Sequence, residues 1–490
     1  MITVTVESDI SAGVGIYIVG LPDNAVKESL MRITTALRVQ GFALPGKRIV
    51  INLAPADIRK EGSAFDLAIA ISLICAMGVV PAEALADCMI MGELALDGGI
   101  RNISGALPIA DHARLTGFKR CIMPYDSAME SVDIDIEVYG VRNLTDVISI
   151  LKREDDCSQL IVRRGQTTDF IPSASPDFKD VKGQSHARRG LEIAASGGHN
   201  LILIGSPGCG KTLMASCLPS ILPRMSKEES IQTSKIYSIA GKSVGRCGLL
   251  QERPFRAPHN SASKVSLLGG GQNAQPGEIS LAHNGVLYLD EVTQFSKGTL
   301  DLLRQPLEDG KIVISRARYK VEYPCSFMFI SSMNPCPCGF YGDKSGRCTC
   351  SQSAINNYMS RISGPLMDRI DMHVYVERVP SEELVGTSQA ESSESIAQRV
   401  TRARRIQLER FNDEGIFTNS AMNAEMISRY CHIEGREADF LRKIIEKMQL
   451  SARAYGRILK LSRTIADIEG YETINLDCLS EALQYRNLDR

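Results

Sequence analysis

The spacing of hydrophobic and polar positions changes several times along the chain and divides it into blocks. In the first block, residues 1–152, short runs typical of strands alternate with longer runs of helical spacing. We therefore expect a mixed α+β domain there. The predicted strands are Gly15–Gly20, Arg48–Leu53, Met89–Leu96, Arg120–Pro124 and Ile136–Gly140, and the predicted helices are Asp23–Gln40, Ala64–Met77 and Ser104–Thr116.

The rest of the chain has three further patterns. Residues 153–179 lack a hydrophobic period and contain several Pro and Ser, which predicts a linker. Residues 180–380 alternate strand and helix patterns with glycine-rich turns, which predicts an α/β domain with a parallel sheet. Residues 381–490 begin with a polar run and continue as a helical domain, with helices predicted at Ile396–Phe411, Met426–Arg429, Glu434–Met448, Ala452–Ile468 and Leu476–Tyr485.

Composition narrows the class of protein. The 490 residues contain 56 Lys and Arg against 57 Asp and Glu, so a globally basic nucleic-acid coat is excluded, although a local basic strip is not. The longest apolar stretch, Phe65–Val80, is shorter than the ~20 residues that span a bilayer, and the first residues lack the basic region of a secretory signal. We expect a cytoplasmic protein with no membrane partner, whose 14 cysteines are thiols.

A phosphate-binding loop follows the predicted strand Asn200–Ile204. The sequence GSPGCGKT fits the pattern G-x-x-x-x-G-K-[ST], and a helix follows it. Glycines let backbone N–H groups converge on phosphate oxygens, Lys211 can reach the terminal phosphates, and the hydroxyl of Thr212 can ligate Mg²⁺. The predicted nucleotide-binding residues are Gly205, Ser206, Pro207, Gly208, Cys209, Gly210, Lys211, Thr212 and Leu213.

Two further strands end in polar residues. The run GVLYLDE ends in Asp290, expected to hold Mg²⁺ through water, and Glu291, expected to be the base or to orient the attacking water. The run SFMFISSMNP ends in Asn334, whose amide can hold the water or sense the γ-phosphate. An asparagine that only makes the turn before Pro335 is the alternative for that position.

Four cysteines follow Asn334 as two C-x-C pairs, Cys336 with Cys338 and Cys348 with Cys350. Glycines between the pairs allow the loop to fold back and surround Zn²⁺ with four thiolates. C-x-C is tighter than the usual C-x₂₋₄-C spacing, so four free thiols on a loop are the alternative.

Together, several stretches resemble the AAA+ ATPases of the magnesium-chelatase-like clade, and specifically the ComM (YifB) family. They are GSPGCGKT, VKGQ (Val181–Gln184), RPFRAPHN (Arg253–Asn260), GEISLAHNGVLYLDEV (Gly277–Val292), LRQPLEDGKIVISRA (Leu303–Ala317), MNPCPCG (Met333–Gly339) and SGPLMDRIDMHV (Ser363–Val374). The resemblance covers nearly the whole chain. It implies ATP and Mg²⁺ as cofactors and a homo-hexameric branch-migration helicase of natural transformation, with single-stranded or branched DNA and recombination proteins as partners.

The resemblance also implies roles for individual residues. VKGQ would flank the adenine and Asn334 would be the sensor-1 residue. Arg369 matches the arginine finger that acts on a neighbour's ATP, with Arg361 as a nearby competitor. Arg453 matches the lid arginine called sensor 2, with Arg457 as its competitor. From the residues alone, a surface ion pair is the default interpretation of Arg369, because the sequence DRID around it is an ordinary local charge pattern.

Two segments are candidates for contact with DNA. Ala257–Glu278 is long and glycine-rich, and the resemblance implies that it is the helix-2 insert, which points into the ring pore. Lys311–Tyr323 has the alternation of a hairpin and carries cations that can contact phosphates, although a solvated hairpin is the alternative. Those cations are Lys311, Arg316, Arg318 and Lys320. The basic helix Arg399–Arg410 is expected to have a solvated face.

The first block resembles the proteolytic domain of Lon over Arg59–Leu73 and Met91–Pro124. A Ser–Lys dyad needs a hydroxyl nucleophile and an amine base, but the matching positions hold Ala64 and Leu107. We therefore expect a degenerate, non-proteolytic domain. The motif VGLPDNAVKES (Val19–Ser29) is typical of the ComM family and favours the DNA motor over the alternative, the ATPase subunit of an enzyme that inserts Mg²⁺ into a porphyrin.

Overall fold

The structure is a computed structural model that describes residues 2–154, 157–164, 176–243, 246–271, 273–315, 320–343, 346–379 and 390–486. Its strands are β1 (Thr5–Ser11), β2 (Gly15–Val19), β3 (Arg48–Ala54), β4 (Cys88–Ile90), β5 (Glu93–Leu94), β6 (Ile100–Arg101), β7 (Arg120–Pro124), β8 (Glu137–Val141), β9 (Leu201–Gly205), β10 (Phe255–Arg256), β11 (Gly269–Gly270), β12 (Gln275–Pro276), β13 (Val286–Leu289), β14 (Lys311–Ser315), β15 (Lys320–Pro324), β16 (Met328–Met333) and β17 (Met372–Val376).

The α-helices alternate with these strands as far as residue 376, and only helices follow within the described residues. They are α1 (Asn24–Val39), α2 (Asp66–Ala76), α3 (Ala106–Leu115), α4 (Tyr125–Ala128), α5 (Leu144–Lys152), α6 (Ser185–Gly197), α7 (Lys211–Cys217), α8 (Lys227–Ile239), α9 (Lys264–Leu268), α10 (Glu278–Leu281), α11 (Lys297–Leu300), α12 (Arg304–Asp309), α13 (Gln352–Met359), α14 (Gly364–Met367), α15 (Ser393–Arg410), α16 (Ala424–Tyr430), α17 (Gly435–Met448), α18 (Ala452–Glu469) and α19 (Leu476–Gln484).

The chain forms two compact units, and unit 1 comprises residues 1–172 together with residues 230–250. One of its sheets has the order β1-β3-β2, with β1 antiparallel and β2 parallel to β3. The second is the parallel sheet β4-β7-β8, and the third is the short antiparallel pair β5-β6. Ile51 of β3, Ile33 of α1 and Leu73 of α2 are fully buried together in the first core. The described part of the unit is therefore built on three small sheets.

Strand β1 and the division of Met89–Leu96 differ from the predicted elements. β1 has the sequence TVESDIS, and its alternate side chains are only partly buried. Because most of its residues are polar, the hydrophobic pattern does not predict this strand. The predicted strand Met89–Leu96 is two strands, because Gly92 between them hydrogen-bonds Ala64 and Leu67 instead of a strand partner.

Residues 230–250 belong to unit 1 although they follow the phosphate-binding loop in sequence. Lys235 is ion-paired with Asp111, the backbone N–H of Gly105 donates to Ser238 O at 3.0 Å, and Leu249 packs with Leu107. Val162, in the predicted linker, is buried in the same unit. Helical spacing predicts that one face of a helix is buried, but it does not identify the core against which that face packs. The position of residues 230–250 in the sequence therefore predicted that they belong to the α/β block of residues 180–380.

Unit 2 comprises residues 173–229 and 251–490 and contains a parallel five-stranded sheet in the order β10-β13-β16-β9-β17. Leu201 of β9 lies beside Ile330 of β16 on one side and Met372 of β17 on the other. Helices α6, α15, α18 and α19 share the hydrophobic core of this sheet. The predicted parallel sheet followed by a helical C-terminal region is confirmed.

The basic helix α15 has the predicted solvated face, which includes the exposed Arg402 and Arg405, but Arg399, Arg404 and Arg410 are partly buried. Arg404 Nε donates to the backbone oxygen of Ala195 at 3.0 Å. Arg410 Nη1 donates to the fully buried Asp467 at 2.8 Å, and Arg399 is ion-paired with Glu192 as well as with Glu391. Ala195, Asp467 and Glu192 lie more than fifty residues away in sequence, so the local charge pattern could not reveal these three contacts. Among the described residues, no helix has the length and hydropathy of a membrane span.

Candidate active site

The loop between β9 and α7 is shaped to receive an anion. Gly208 and Gly210 have φ values of +79° and +87°, a region that favours glycine, and a Cβ on either would meet no atom within 4 Å. The space above the loop is therefore an open cradle at the first turn of α7. Ser206 and Cys209 are buried in the loop, whereas Leu213 lies in α7 with an exposed side chain.

The ammonium group of Lys211 lies inside this loop. Its side chain is 9% exposed and donates to the backbone oxygens of Gly205 and Ser206 and, at 3.2 Å, to Asn334 Oδ1. Burial lowers the pKa of Lys211, with Asp290 and Glu291 acting against this effect. A cation held against carbonyl oxygens can exchange these partners for phosphate oxygens, so Lys211 fits the predicted contact with a triphosphate.

The hydroxyl of Thr212 and the carboxylate of Asp290 form one oxygen-rich group. Thr212 Oγ1 donates to Asp290 Oδ2 at 2.9 Å. Burial would raise the pKa of Asp290, but hydrogen bonds from Ser332, Thr212 and Tyr288 outweigh it and lower the pKa. Mg²⁺ prefers oxygen ligands and binds to one or two carboxylates with water and phosphate, so this pair fits the predicted magnesium site.

Glu291 follows Asp290 at the carboxyl end of β13 and is exposed. Its φ is +47°, a conformation that residues other than glycine rarely adopt, and its backbone N–H donates to Ser332 Oγ at 3.1 Å. Asn334 lies at the end of the neighbouring strand β16, beside Lys211. The sheet order thus brings together Lys211, Thr212, Asp290, Glu291 and Asn334; their individual catalytic roles stay predictions.

Two residues that the sequence analysis did not single out complete this network. Tyr288 donates its hydroxyl to Asp290 Oδ1 at 2.9 Å, and Ser332 Oγ donates to the same oxygen. Tyr288 lies two positions before Asp290 and thus on the same face of β13, a spacing that could have identified it. Ser332 could be found only once the pairing of β13 with β16 was known.

A cavity of about 1070 Å³ lies beside the loop in unit 2. Gln184, from the motif VKGQ, lines it and donates to the backbone oxygens of Glu377 and, at 3.4 Å, Cys209. Ser206, Tyr341 and Tyr375 are also in its wall. This placement fits the expectation that VKGQ flanks the base of a nucleotide.

Arg369 lies at the opposite end of the sheet. Asn200, just before β9, donates its side-chain amide to the backbone oxygen of Arg369 at 2.9 Å. The phosphate-binding loop begins at the other end of β9, about 13 Å away at 3.3 Å per residue. The Arg369 guanidinium donates to Pro365 O at 2.7 Å and is ion-paired with Glu308. It is therefore not placed against Lys211 of its own chain.

Arg453 lies at the same amino end as Arg369. Its guanidinium is 70% exposed and lies 3.6 Å from Asp368. Its competitor Arg457 is 13% exposed and lies 3.7 Å from Asp371, whose carboxylate accepts from the backbone of Asn200 at 3.1 Å. A cavity of about 700 Å³ at this end is lined by several arginines, among them Arg253, Arg369, Arg404, Arg453 and Arg457.

Arg361, the competitor for the finger, lies elsewhere. Its guanidinium contacts the backbone oxygen of Thr293 at 3.4 Å and faces the ring of Tyr358. Thr293 comes directly after the strand end that carries Glu291. Arg361 is therefore close to the carboxyl end of the sheet, whereas Arg369 and Arg453 lie together at the amino end.

The four predicted cysteine ligands converge. The sulfur of Cys336 lies 3.2 Å from that of Cys338 and 3.8 Å from that of Cys348, and Cys338 and Cys348 are 3.6 Å apart. With Cys350 included, the four sulfurs all lie within 4.8 Å of one another. The other cysteines of unit 2 lie outside this cluster; Cys209 is part of the phosphate-binding loop.

The two candidate DNA segments are adjacent in unit 2. In the predicted hairpin segment, Lys311–Ser315 and Lys320–Pro324 pair as the antiparallel strands β14 and β15, and the glycine-rich segment contains the short pair β11–β12. Tyr323 OH donates to Ala274 O at 2.9 Å. Lys311 is exposed in a 3.2 Å ion pair with Glu322, and Lys320 is exposed. Arg316 and Arg318 lie outside the described residues.

In unit 1, Ala64 and Leu107 are the two residues that the sequence resemblance matches to the nucleophile and the base of a Lon-type dyad. Leu107 is buried in an apolar cluster with Ile134 and Leu249. The nearby hydroxyl of Ser63 donates to the carboxylate of Glu93. The likeness of this unit to Lon stays a prediction.

The strand order of unit 2, its phosphate-binding loop and the two acids at the end of β13 define a P-loop ATPase of the AAA+ class. Three family models match the chain: "Magnesium chelatase, subunit ChlI" over residues 177–384, "Subunit ChlI of Mg-chelatase" over residues 6–127, and "Magnesium chelatase, subunit ChlI C-terminal" over residues 390–486. The chain belongs to the ComM/YifB family of magnesium-chelatase-like AAA+ proteins.

Full-length relatives support this membership. The chain is 40% identical to the competence protein ComM of Haemophilus influenzae over 99% of its own length and 95% of that protein. It is 41% identical to YifB of Escherichia coli, over 99% and 94% of the two chains. The magnesium-chelatase 67 kDa subunit of Heliobacterium mobile is 26% identical over 40% of this chain and 30% of that protein. Membership in this family supports ATP binding and Mg²⁺-dependent ATPase activity for this chain.

Proposed function

We propose that the chain is an ATP-driven DNA motor: a homo-hexameric helicase that drives branch migration in homologous recombination during natural transformation. The adjacent segments of unit 2 carry the proposal. The bond from Tyr323 to Ala274 ties the hairpin β14–β15 to the glycine-rich segment, so that two candidate DNA contacts form one surface. A ring would repeat the few cations of this surface in every subunit, which compensates for the neutral net charge.

The proposed assembly rests on the division of the site between the two ends of the sheet. Lys211, Thr212 and Asp290 would hold ATP and Mg²⁺ at the carboxyl end. Arg369 and Arg453, at the amino end, would complete the site of the next subunit. A guanidinium supplied from a neighbour stabilises the charge that develops on the transferred phosphoryl group. This arrangement makes hydrolysis depend on the oligomer.

The extent of the matches supports the DNA motor over an enzyme that acts on a porphyrin. The competence protein matches 99% of the chain, whereas the magnesium-chelatase subunit matches 40% of it, and the motif VGLPDNAVKES in unit 1 is typical of the ComM family. Porphyrin-dependent chelation is the alternative, because the family models carry that name. A peptidase of the Lon type is opposed by Ala64 and Leu107.

The test measures the ATPase rate of the full chain with and without a four-way DNA junction, with the particle mass recorded in parallel. We expect stimulation by DNA in particles of six subunits and no response to porphyrin. A rate that responds to a porphyrin with Mg²⁺ but not to DNA would establish the alternative.

A second measurement locates the DNA contacts. Lys320→Ala should weaken DNA binding and reduce the slope of log K against log salt by about one per lost phosphate contact. The pair Arg316→Ala with Arg318→Ala should reduce the slope by about two. Lys443→Ala removes an exposed cation from α17 and serves as the control, with an unchanged slope. Equal slopes for all of these proteins would place the DNA contact elsewhere.

A further inference from the structure

The sulfur atoms of the four cysteines after Asn334 lie close enough together to surround one metal ion. Ligands at the Zn–S distance of about 2.3 Å lie about 3.8 Å apart in a tetrahedron. The separations among the sulfurs of Cys336, Cys338 and Cys348 are 3.2, 3.6 and 3.8 Å, and with Cys350 all four sulfurs lie within 4.8 Å of one another. A disulfide would need about 2.05 Å between two sulfurs. The separations therefore match four ligands around one ion.

The local backbone explains why two C-x-C pairs can form such a set. Gly339 has a φ of +86°, and its N–H donates to Cys336 O at 3.0 Å, which closes a turn around the first pair. The N–H of Tyr341 donates to Cys336 Sγ at 3.3 Å. Hydrogen bonds of this kind orient thiolate ligands and stabilise their charge. The turn at glycine thus replaces the extra residues of a wider C-x₂₋₄-C spacing.

The same loop touches the phosphate-binding loop. A Cβ added to Gly339 would lie 2.7 Å from Pro207 Cδ and 3.8 Å from Asn334 Cγ. Tyr341 and Asp343, three and five residues after Cys338, line the cavity that Ser206 and Gln184 also line. The cysteine loop therefore forms part of the wall of the candidate nucleotide site.

We propose that Cys336, Cys338, Cys348 and Cys350 bind one structural Zn²⁺, and that this zinc loop positions Pro207 and Asn334 for nucleotide binding. Four thiolates in a closed tetrahedron are typical of a structural zinc site without an open position for catalysis. The ion fixes the turn at Gly339, and the turn supports the loop that holds Lys211. The second half of the proposal rests on the proposed ATPase function, whereas the first half does not.

The metal site is tested on the full-length chain purified with a reductant and without added metal. Elemental analysis should find one zinc per chain, and the double variant Cys338→Ser with Cys348→Ser should lose it. Cys75→Ser, a partly buried thiol in α2 of unit 1, should keep it. Wild-type chain with no bound metal, or with iron in place of zinc, would overturn the assignment.

Two further readouts do not depend on the folding of a variant. Titration of wild-type thiols with an organomercurial should release zinc in step with four thiols, detected by a chromogenic chelator. Co²⁺ in place of Zn²⁺ should show the intense visible bands of a tetrahedral thiolate site. Release with two thiols or fewer, or an octahedral Co²⁺ spectrum, would contradict four-cysteine ligation.

The positioning role is tested by ATP affinity, measured with a fluorescent nucleotide. The double variant should bind ATP several-fold more weakly than wild type and Cys75→Ser. Gly339→Ala, which adds a methyl group against Pro207 and removes no sulfur, should keep zinc and also weaken ATP binding. Unchanged affinity in both variants would refute the positioning role. A wild-type chain that binds zinc but no ATP would instead refute the proposed function and leave the metal site standing.

Discussion

The two ends of the five-stranded sheet in unit 2 are built in different ways. At the carboxyl end, Lys211 is 9% exposed, and hydrogen bonds of 2.9–3.2 Å join it to Asn334 and join Thr212 to Asp290. At the amino end, Arg453 is 70% exposed, and its contact with Asp368 is 3.6 Å long. The carboxyl end is an ordered network, whereas at the amino end Arg453 is exposed in one long ion pair and Arg369 is paired with the exposed Glu308.

This difference suggests that the two ends of the sheet have different functions. A buried network keeps its geometry before the ligand arrives, which favours tight binding of a phosphate chain. An exposed ion pair is worth only about 0–1 kcal/mol, so an arginine can leave its carboxylate for a phosphate at little cost. We interpret the carboxyl end as the site that holds ATP and the amino end as a surface offered to a neighbouring subunit.

The largest expected effect is a loss of ATP affinity when the network at the carboxyl end is disrupted. Lys211→Ala removes a buried ammonium that would contact phosphate oxygens. Two lost charge-assisted hydrogen bonds cost about 3 kcal/mol, which is about 100-fold in ATP affinity. Titration with a fluorescent ATP analogue measures it. Lys227→Ala removes an exposed cation at the start of α8 and should bind normally. Unchanged ATP affinity in Lys211→Ala would contradict the phosphate assignment.

The second effect concerns the amino end. Arg369→Ala should bind ATP like wild type and lose about 1000-fold in turnover, the lower range for an arginine supplied in trans. Arg361→Ala should retain most of its turnover, because Arg361 contacts Thr293 and lies away from the amino end. The reverse order of the two rates would assign the finger to Arg361.

Mixing sharpens this result. Lys211→Ala keeps Arg369 but loses its own ATP site, whereas Arg369→Ala keeps its ATP site but loses the finger. When these two inactive chains are mixed, an Arg369 of a Lys211→Ala chain meets the ATP of an Arg369→Ala chain, so activity should appear. A mixture as inactive as the two separate proteins, in particles whose mass proves mixing, would contradict action across the interface.

The third effect separates binding from hydrolysis at the carboxyl end. Glu291→Gln keeps the hydrogen-bonding shape but removes the charge that would activate water, so turnover should fall at least about 100-fold while ATP stays bound. Single-turnover hydrolysis with a parallel binding titration measures both. Glu308→Gln, an exposed acid at the amino end, is the matched control for ATP binding. Loss of ATP affinity in Glu291→Gln would show that Glu291 holds the nucleotide or its metal.

Sequence reasoning predicted the carboxyl end far better than the amino end. The pattern G-x-x-x-x-G-K-[ST] fixes a strand, a loop and a helix, and the acids after β13 follow from the rule that polar groups gather at strand ends. These are local signals. Tyr288 lies within the same strand as Asp290 and was within reach of that reasoning, but Ser332 depends on the pairing of β13 with β16.

The features that were missed depend on distant partners. Arg410 is hydrogen-bonded to Asp467, which lies fifty-seven residues later in the chain. The local sequence therefore predicts a solvated arginine where the structure has a partly buried one. Residues 230–250 pack in unit 1 because Lys235 meets Asp111 and Leu249 meets Leu107, pairs that no period within the segment encodes. The motif that contains Arg453 suggested a lid arginine, but only the strand order places it at the end of the sheet away from Lys211.

The smallest expected effect is the pH dependence of the free energy of unfolding that a buried histidine at the amino end produces. His283 precedes β13 at the amino end and is buried, and its Nδ1 accepts the backbone N–H of Ser326 at 3.1 Å, so this nitrogen carries no proton. Burial lowers the pKa of His283 to about 4, although the charge of Glu229 acts in the opposite direction. The unfolded chain has a histidine pKa of about 6.5, so protons favour unfolding.

The stability that neutral His283 provides is therefore complete above about pH 6.5 and is lost as the pH falls towards 4, by up to about 1.4 kcal/mol per pH unit. Urea unfolding of unit 2 at about pH 5 and pH 7.5 should show a smaller pH dependence in His283→Gln than in wild type. His432→Gln, which changes an exposed histidine, should match wild type. An equal pH dependence in all three proteins would show that protonation of His283 does not limit the acid stability of the amino end.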